Sequence, residues 1–365
     1  MNSRKTSIGI LTFQRTLNFG ATLQNYALWT MLKKLGYRPV VVDYRQRYIE
    51  QNEGLIFHLG PNSLYKWVVS FPKRRSFDRF RNKMDCTSSC DAGTIENVVS
   101  ELSCVMVGSD QVWNTRLTNS DSTFFLDFID DPRRCKTYAA SIGYGELPES
   151  KFDPRPLISH FSSILVREKS AADAISHECP EAPDAHVVLD PTLLVEKVVW
   201  KEIEQMPSYA KGKPYVLVYD VSESDLAFKA AERLSSGTDA HVIRIQSYDL
   251  KSRPGVMSVL NVSPEEYLGL FAHAQCTVVS SFHGLCFSII NHRDFYFSGQ
   301  TAGKNTNSRA ADLMGALGIA GRTVQDLVNG TVKPVDWDDV EERLRTLRVE
   351  SLQLLIGSLA DVEGE

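Results

Sequence analysis

The chain has 365 residues, 43% of them apolar and 23% charged, with a net charge of −5 and an isoelectric point near 6.0. That length supports two hydrophobic cores rather than one, and the negative balance disfavours a broad nucleic-acid-binding surface while leaving room for a local basic patch. No apolar run approaches the roughly 18 residues of a membrane span, and Met1 to Gln14 holds only a short apolar core, so a cytoplasmic protein is expected. Seven cysteines, an odd number without a C-x-x-C pair, read as reduced thiols with no structural zinc.

Ile8 to Phe13 is the first predicted strand, Gln14 to Gly20 a loop, and Ala21 to Leu35 an amphipathic helix stopped by Gly36 before the strand Val40 to Asp43. This βαβ opening carries Asn18-Phe19-Gly20 and lacks the G-x-G-x-x-G spacing, which disfavours a nicotinamide or flavin cofactor. Residues 55–85 then interleave Phe57, Tyr65, Trp67, Phe71, Phe77 and Phe80 with lysines and arginines. Such a segment can rest on an anionic membrane surface or grip a phosphorylated lipid carrier, and a solvated helix with a core stripe is the commoner explanation.

Cys104 to Val107 reads as a buried strand running into Gly108-Ser-Asp-Gln-Val-Trp-Asn114. Asp110, Gln111 and Trp113 at a strand's carboxyl end suit a sugar, with the indole as a stacking platform; a helix cap for Asp110 and a core place for Trp113 are the alternatives. Lys136 to Ser141 and Ser162 to Val166 are further strands, and a helix is expected from Ala171 onward. Arg167 at that junction can clamp a carboxylate or phosphate through its planar fork, or pair with Glu168. Asp190-Pro-Thr192 closes the first half, and Lys197 to Lys213 reads as a linker.

The α/β rhythm then restarts, with strands at Tyr215 to Tyr219 and His241 to Ile245 and helices at Ser224 to Leu234 and Pro264 to Ala272. Thr277 to Val279 is an apolar β-branched run and Leu285 to Ile290 opens a buried helix, so Ser280, Ser281, Phe282, His283 and Gly284 occupy a strand-to-helix turn. Such a turn presents backbone N–H groups and the positive end of a helix dipole, a ready place for phosphate. The plain alternatives are a capping serine and a hydrogen-bonded core histidine. A strand at Phe295 to Phe297 and a helix from Arg309 to Leu317 follow, and Asp336 to Leu355 forms a terminal helix.

The expected architecture is therefore two open parallel α/β sheets facing a cleft, residues 1–196 (with 55–85) and 197–335, with 336–365 packing back on the first. No clustered metal-ligand pattern appears in the second half, so metal-independent chemistry is expected.

The motifs Asn18-Phe-Gly-Ala-Thr-Leu-Gln-Asn-Tyr-Ala-Leu28, Gly108 to Asn114, Val166-Arg-Glu-Lys-Ser170, Asp190-Pro-Thr192, Ser280-Ser-Phe-His-Gly284 and Asn307-Ser-Arg309 resemble, in this order, the polysaccharide pyruvyl transferase family. The resemblance implies two Rossmann-like domains of the GT-B glycosyltransferase kind and transfer of a pyruvyl group from phosphoenolpyruvate to a sugar as a ketal. Phosphoenolpyruvate would be donor substrate, with no cofactor or metal, and the saccharide acceptor could be lipid-linked at the inner membrane face. It implies an Arg-rich donor pocket with a histidine that corresponds to His283; from the chemistry of the residues, Arg167 joins His283 as catalytic, Ser280, Ser281, Gly284, Asn307 and Arg309 are expected to bind the donor, and Asn18, Asp110, Gln111 and Trp113 the acceptor. Some relatives carry Arg-Leu-His where this chain has Ser281-Phe282-His283, so Arg309 or Arg167 must supply the charge or the donor differs. A nucleotide-sugar glycosyltransferase and a non-catalytic carbohydrate-binding relative are the competing readings.

Overall fold

The computed structural model describes residues 6–53, 55–56, 63–221, 224–246, 253–299 and 308–362. The chain separates into two compact units, one formed by Met1–Gly60, Arg81–Val195 and Arg345–Glu365, the other by Pro61–Phe80 and Glu196–Leu344.

The chain opens with β1 (Ser7–Leu11), α1 (Phe19–Lys34), β2 (Arg38–Val41), α2 (Arg47–Asn52), α3 (Ser63–Val69), α4 (Phe71–Arg81) and α5 (Ile95–Val99). It continues through β3 (Cys104–Val107), β4 (Cys135–Thr137), α6 (Arg155–Ser159), β5 (Ile164–Val166), α7 (Lys169–Glu178), β6 (Ala185–Val187) and α8 (Pro191–Leu194). In the first unit four parallel strands run in the order β2-β1-β3-β4, and the parallel pair β5-β6 continues beyond β4 through bridges Lys136 to Ser163 and Ala140 to Val166.

Period-two alternation decides what each face of this sheet buries. Ile8, Ile10, Cys104 and Met106 pack with Leu28 and Leu32 of α1, and with Leu355 and Leu359 of the terminal helix. Leu11, Val105 and Val107 point the other way, against Ile95, Val99, Phe124 and Phe125. Strands covered on both faces have no polar side to show, which is why they read as unbroken apolar runs.

The second unit adds α9 (Lys197–Lys201), β7 (Tyr215–Tyr219), α10 (Asp225–Ser235), β8 (His241–Ile245), β9 (Val256–Val259), α11 (Pro264–His273), β10 (Cys276–Val279), α12 (Phe282–Ile290), β11 (Asp294–Phe297), α13 (Ser308–Ala316) and α14 (Val324–Asn329), and the last helix, α15 (Trp337–Leu359), belongs to the first unit from Arg345 onward. Its parallel sheet has the order β11-β10-β7-β8-β9. Val216, Val218, Val242 and Val278 meet Ala227, Phe228 and Ala231 of α10 on one face. Elsewhere in this unit Tyr267 of α11 packs against Tyr219, Phe271 and Phe287 at ring separations of 5.3, 4.6 and 5.7 Å.

Several expectations change. Residues 55–85 do not stay together with the first unit, because Pro61–Phe80 group with the second. The strand expected over Lys136 to Ser141 ends at Thr137, since Ala139 takes a left-handed φ of 54° that no strand sustains. Helix α12 begins at Phe282 rather than Leu285, which places His283 in its first turn. The expected linker holds α9 and a short 3₁₀ turn at Ser208–Ala210, and the strand β9 has no counterpart in the sequence reading.

Gly269 tests how tightly the second unit is packed. A Cβ there would lie 2.3 Å from the carbonyl oxygen of Gln205, a backbone atom that cannot swing aside. Alanine is the better helix former by about 1 kcal/mol, but overpacking costs about 1–3 kcal/mol, so steric cost wins. Gly269→Ala should lower the melting temperature; an unchanged or raised value would show that this contact yields freely.

Candidate functional site

In both sheets the strand order reverses beside the first strand of the unit, at β1/β3 and at β7/β10. Ligands of open α/β sheets collect outside the carboxyl ends of strands at such points. In the second unit the crossing is tied by a side chain: Ser280 Oγ, just past β10, accepts from the Val221 N–H beyond β7 at 2.9 Å. Ser281 caps α12, its Oγ accepting from the Gly284 N–H at 2.9 Å. His283 follows in the first turn, 8% exposed, its ring edge-on to Phe282 at 5.4 Å. Arg309 of α13 stands over the same Phe282 ring at 6.0 Å. His283, Ser280, Ser281, Gly284 and Arg309 are thus brought to one turn, at the positive end of a nine-residue helix.

Gly284 is required by space. A Cβ would press on the capping Ser281 Oγ at 2.9 Å and on Val279 at 3.1 Å, so a side chain here would push the helix end off the strand. Asn307 lies outside the described residues.

The first unit builds a different kind of surface. Thr12 Oγ1 donates to the Ser109 carbonyl at 2.7 Å, linking the ends of β1 and β3. Asn18 is the N-cap of α1, its Oδ1 accepting from the Gly20 and Ala21 N–H groups at 2.8 and 3.3 Å. Asp110 has a φ of 91°, a conformation that non-glycine residues rarely adopt. Hydrogen bonds hold it there, from Ser141 N–H to its carbonyl at 3.0 Å and from Gln111 N–H to its Oδ1 at 2.8 Å. Gln111 Oε1 accepts from Asn114 at 2.9 Å, beside Gly143, where a Cβ would fall only 2.1 Å from that oxygen.

The loop between β1 and α1 is pinned at Asp43. Arg15 grips both carboxylate oxygens at 2.7 and 2.6 Å, and Gln14 and Ser89 each donate at 2.5 Å. Burial pushes this carboxyl up, but hydrogen bonds from Arg15 and Ser89, the Arg15 charge and the Gln14 contact outweigh it and hold it below the ordinary 3.8.

Two expected roles are corrected. Trp113 is not a platform for a sugar: it is fully buried, donates to the Phe124 carbonyl at 3.0 Å and stacks on Phe125 at 5.7 Å. Arg167 is not an open clamp for an anion. Its side chain is 1% exposed and pairs with Asp190 at 3.2 Å and Glu168 at 3.7 Å. Burial works to lower its basicity, and the carboxylates of Asp190, Glu168 and Asp110 overcome that and raise it. Its charge is spent inside the unit, positioning Asp190, which accepts from Ser109 at 2.8 Å and caps α8.

Ser298 escaped the sequence reading. It follows β11, its N–H bonds the Val279 carbonyl at 2.8 Å, and among the described residues its buried Oγ has no hydrogen-bond partner. A hydroxyl at the end of an apolar β-branched or aromatic run, the sign that marked Ser280, would have found it. Among the described residues no group of three or more His, Cys, Asp or Glu is placed to hold a metal ion.

A family model described as polysaccharide pyruvyl transferase matches residues 18–297. The chain belongs to the polysaccharide pyruvyl transferase family. The match takes in α1, Asp110, Arg167 and the whole His283 turn. A comparison with curated proteins finds no match.

Among solved structures the chain is similar to a putative UDP-N-acetylglucosamine 2-epimerase from Listeria monocytogenes, with TM-score 0.52, 11% identity, and 95% of this chain and 91% of that one covered. The UDP-GlcNAc 2-epimerase from Neisseria meningitidis bound to UDP-GlcNAc gives 0.52 and 10%, covering 97% and 99%. The S. aureus MnaA structure with UDP gives 0.54 and 11%, covering 99% and 93%. These likenesses establish the fold class, two Rossmann-like α/β units of the GT-B kind, and at such identities nothing more.

Trp113→Phe should lower stability by about 1–3 kcal/mol, since it leaves a carbonyl unpaired and a cavity behind. A loss under about 0.5 kcal/mol by urea unfolding would mark an exposed residue instead. For Asp43, a lowered native pKa means a stabilising contribution that is full above the unfolded-state value and fades as pH falls through the native one. Asp43→Asn should therefore destabilise at pH 7, with the gap from wild type narrowing below about pH 4; a gap that stays constant with pH would remove the charge from the explanation.

Proposed function

We propose that this family member transfers a pyruvyl group from phosphoenolpyruvate to two hydroxyls of one sugar residue of a polysaccharide or its precursor. The observation that carries the proposal is the buried His283 in the first turn of α12, with the Arg309 guanidinium over the neighbouring Phe282. A cation and a helix N-terminus suit a donor bearing carboxylate and phosphate. Because Ser281 stands where some relatives carry arginine, Arg309 is the guanidinium assigned to the donor, with Ser280, Ser281 and Gly284 shaping its seat. Arg167 serves as a positioning residue.

In the reaction, His283 gives a proton to the methylene carbon C3, leaving positive charge at C2. One sugar hydroxyl adds to C2, phosphate departs with the bonding pair, and the second hydroxyl closes the ketal. The hydroxyls release two protons; one restores His283 and the other leaves with phosphate. On the acceptor side, the carboxylate-rich surroundings of Asp110 favour hydroxyl donors over anions, with Gln111 beside it and Asn18 fixing the helix below. We assign Asp110 the late deprotonation of the second hydroxyl; that proton then passes on and leaves with phosphate.

The reaction is proposed to need no metal ion, and seven free cysteines support a reducing, cytoplasmic compartment. Among the described residues no helix is long and apolar enough to cross a membrane.

Phosphoenolpyruvate should raise the melting temperature, by linkage worth about 2.7 kcal/mol at a hundredfold excess over Kd. His283→Gln should keep that shift while kcat falls about 10²–10⁴-fold. Stabilisation by UDP or UDP-GlcNAc in place of phosphoenolpyruvate would favour a nucleotide-sugar enzyme. Donor binding without phosphate release on any oligosaccharide would favour a non-catalytic relative, and activity lost to chelator and restored by magnesium would refute metal independence.

A further inference from the structure

The basic and aromatic stretch, which the sequence leaves open between membrane contact and core stripe, divides in the structure into two parts with opposite fates. In α4, Phe77 and Phe80 are fully buried and Lys73 nearly so, which is the core stripe. In α3 and the first residue of α4 the stripe faces solvent. Leu64, Trp67, Val68 and Phe71, at i, i+3, i+4 and i+7, are 62%, 37%, 55% and 50% exposed, and Tyr65 beside them is 38% exposed. A cluster of large exposed apolar side chains, three on α3 and one just past the turn at Ser70, is not expected of a surface that meets only water.

The charge around this row names its partner. From Ser63 to Lys83 the sequence carries seven lysines and arginines against one acid, Asp78, in a chain whose net charge is −5; Lys73 and Arg81 are buried, while Arg74 is half-buried and Arg75 and Arg79 reach the surface. Arg74 lies over Trp67 at 5.0 Å and over Phe71 at 5.6 Å, and Arg75 over Phe71 at 5.7 Å, so the cations sit at the edge of the apolar row. Arg75 and Arg79 are exposed. Aromatic and aliphatic side chains that enter the acyl boundary, with arginines at headgroup level, are the pattern of a helix lying in a membrane interface. A protein partner matched only by apolar burial would not require so strong an excess of one charge.

We propose that α3 and the start of α4 form a peripheral docking surface for an anionic lipid bilayer. Leu64, Trp67, Val68 and Phe71 insert into the interface, and Arg74, Arg75 and Arg79 meet lipid phosphates. The inference does not depend on the identity of the donor, and it places the enzyme where a lipid-linked acceptor would be presented.

The test is co-sedimentation of the full chain with vesicles of mixed phosphatidylglycerol and phosphatidylcholine, and with phosphatidylcholine alone. Binding is expected to the mixed vesicles, to weaken at about 1 M salt, where screening acts within about 3 Å, and to be slight to the neutral ones. Arg75→Gln with Arg79→Gln should reduce partitioning roughly 30-fold, about a factor of five per charge. Trp67→Ala with Phe71→Ala should reduce it by at least about 10-fold, with a cooperative unfolding transition retained because neither side chain belongs to the buried core. Absence of binding to anionic vesicles, or binding that neither pair of substitutions weakens, would overturn the proposal. A dimer that Trp67→Ala with Phe71→Ala converts to monomer, without any vesicle binding, would overturn it in favour of a second copy of this chain.

Discussion

The carboxyl edges of the two parallel sheets impose the constraint on which the site depends. Where strand order reverses, neighbouring strands feed helices on opposite faces, and the backbone groups between them lose their ladder partners. Each unit meets this with one side-chain hydroxyl bridging the two strand ends, Thr12 to the Ser109 carbonyl in the first and Ser280 from the Val221 N–H in the second. The residues flanking those bridges are thereby held in place: Asp110 in an otherwise costly backbone conformation, and His283 in the first turn of its helix. The geometry at both edges follows from the same need to satisfy backbone polarity.

The edges differ in electrostatic character. At the first, a single buried guanidinium is outnumbered by the carboxylates of Asp190, Glu168 and Asp110, so an additional anion would meet a negative surrounding. At the second, Arg309 and a helix N-terminus are gathered around Phe282 and His283. In the proposed function, the former would take hydroxyls and the latter a carboxylate-phosphate. The proposed assignment of acceptor to the first edge and donor to the second rests on this asymmetry.

Much of this was legible in the chain. Buried parallel strands announce themselves as β-branched runs such as Thr277 to Val279, and polar residues just beyond them are where a sheet places its ligands, so the His283 turn and the Asp110 stretch could be found. Partners far apart in sequence could not. Arg167 looked available because nothing adjacent declares that Asp190 reaches it, and Trp113 looked like a platform because Phe125 and Phe161 come from later segments. Ala139 carries no local mark of its left-handed turn. Strand β9, half-buried with an exposed Met257, lacked the apolar density that revealed its neighbours.

Residues 61–80 show the same limit from another side. Composition could register aromatics among cations but not which helical stripe a core would cover. Phe77 and Phe80 are separated from Phe71 by fewer than ten residues, yet only the later pair is buried. The break at Ser70, with Pro72 tolerated in the first turn of α4, separates α3 from α4, and within α4 Phe77 and Phe80 face the core while Phe71 at its start is exposed like Leu64 and Val68 of α3. Two helices of one composition can then serve two surfaces, and the arginines stacked on Trp67 and Phe71 belong to the stripe that the core has left uncovered.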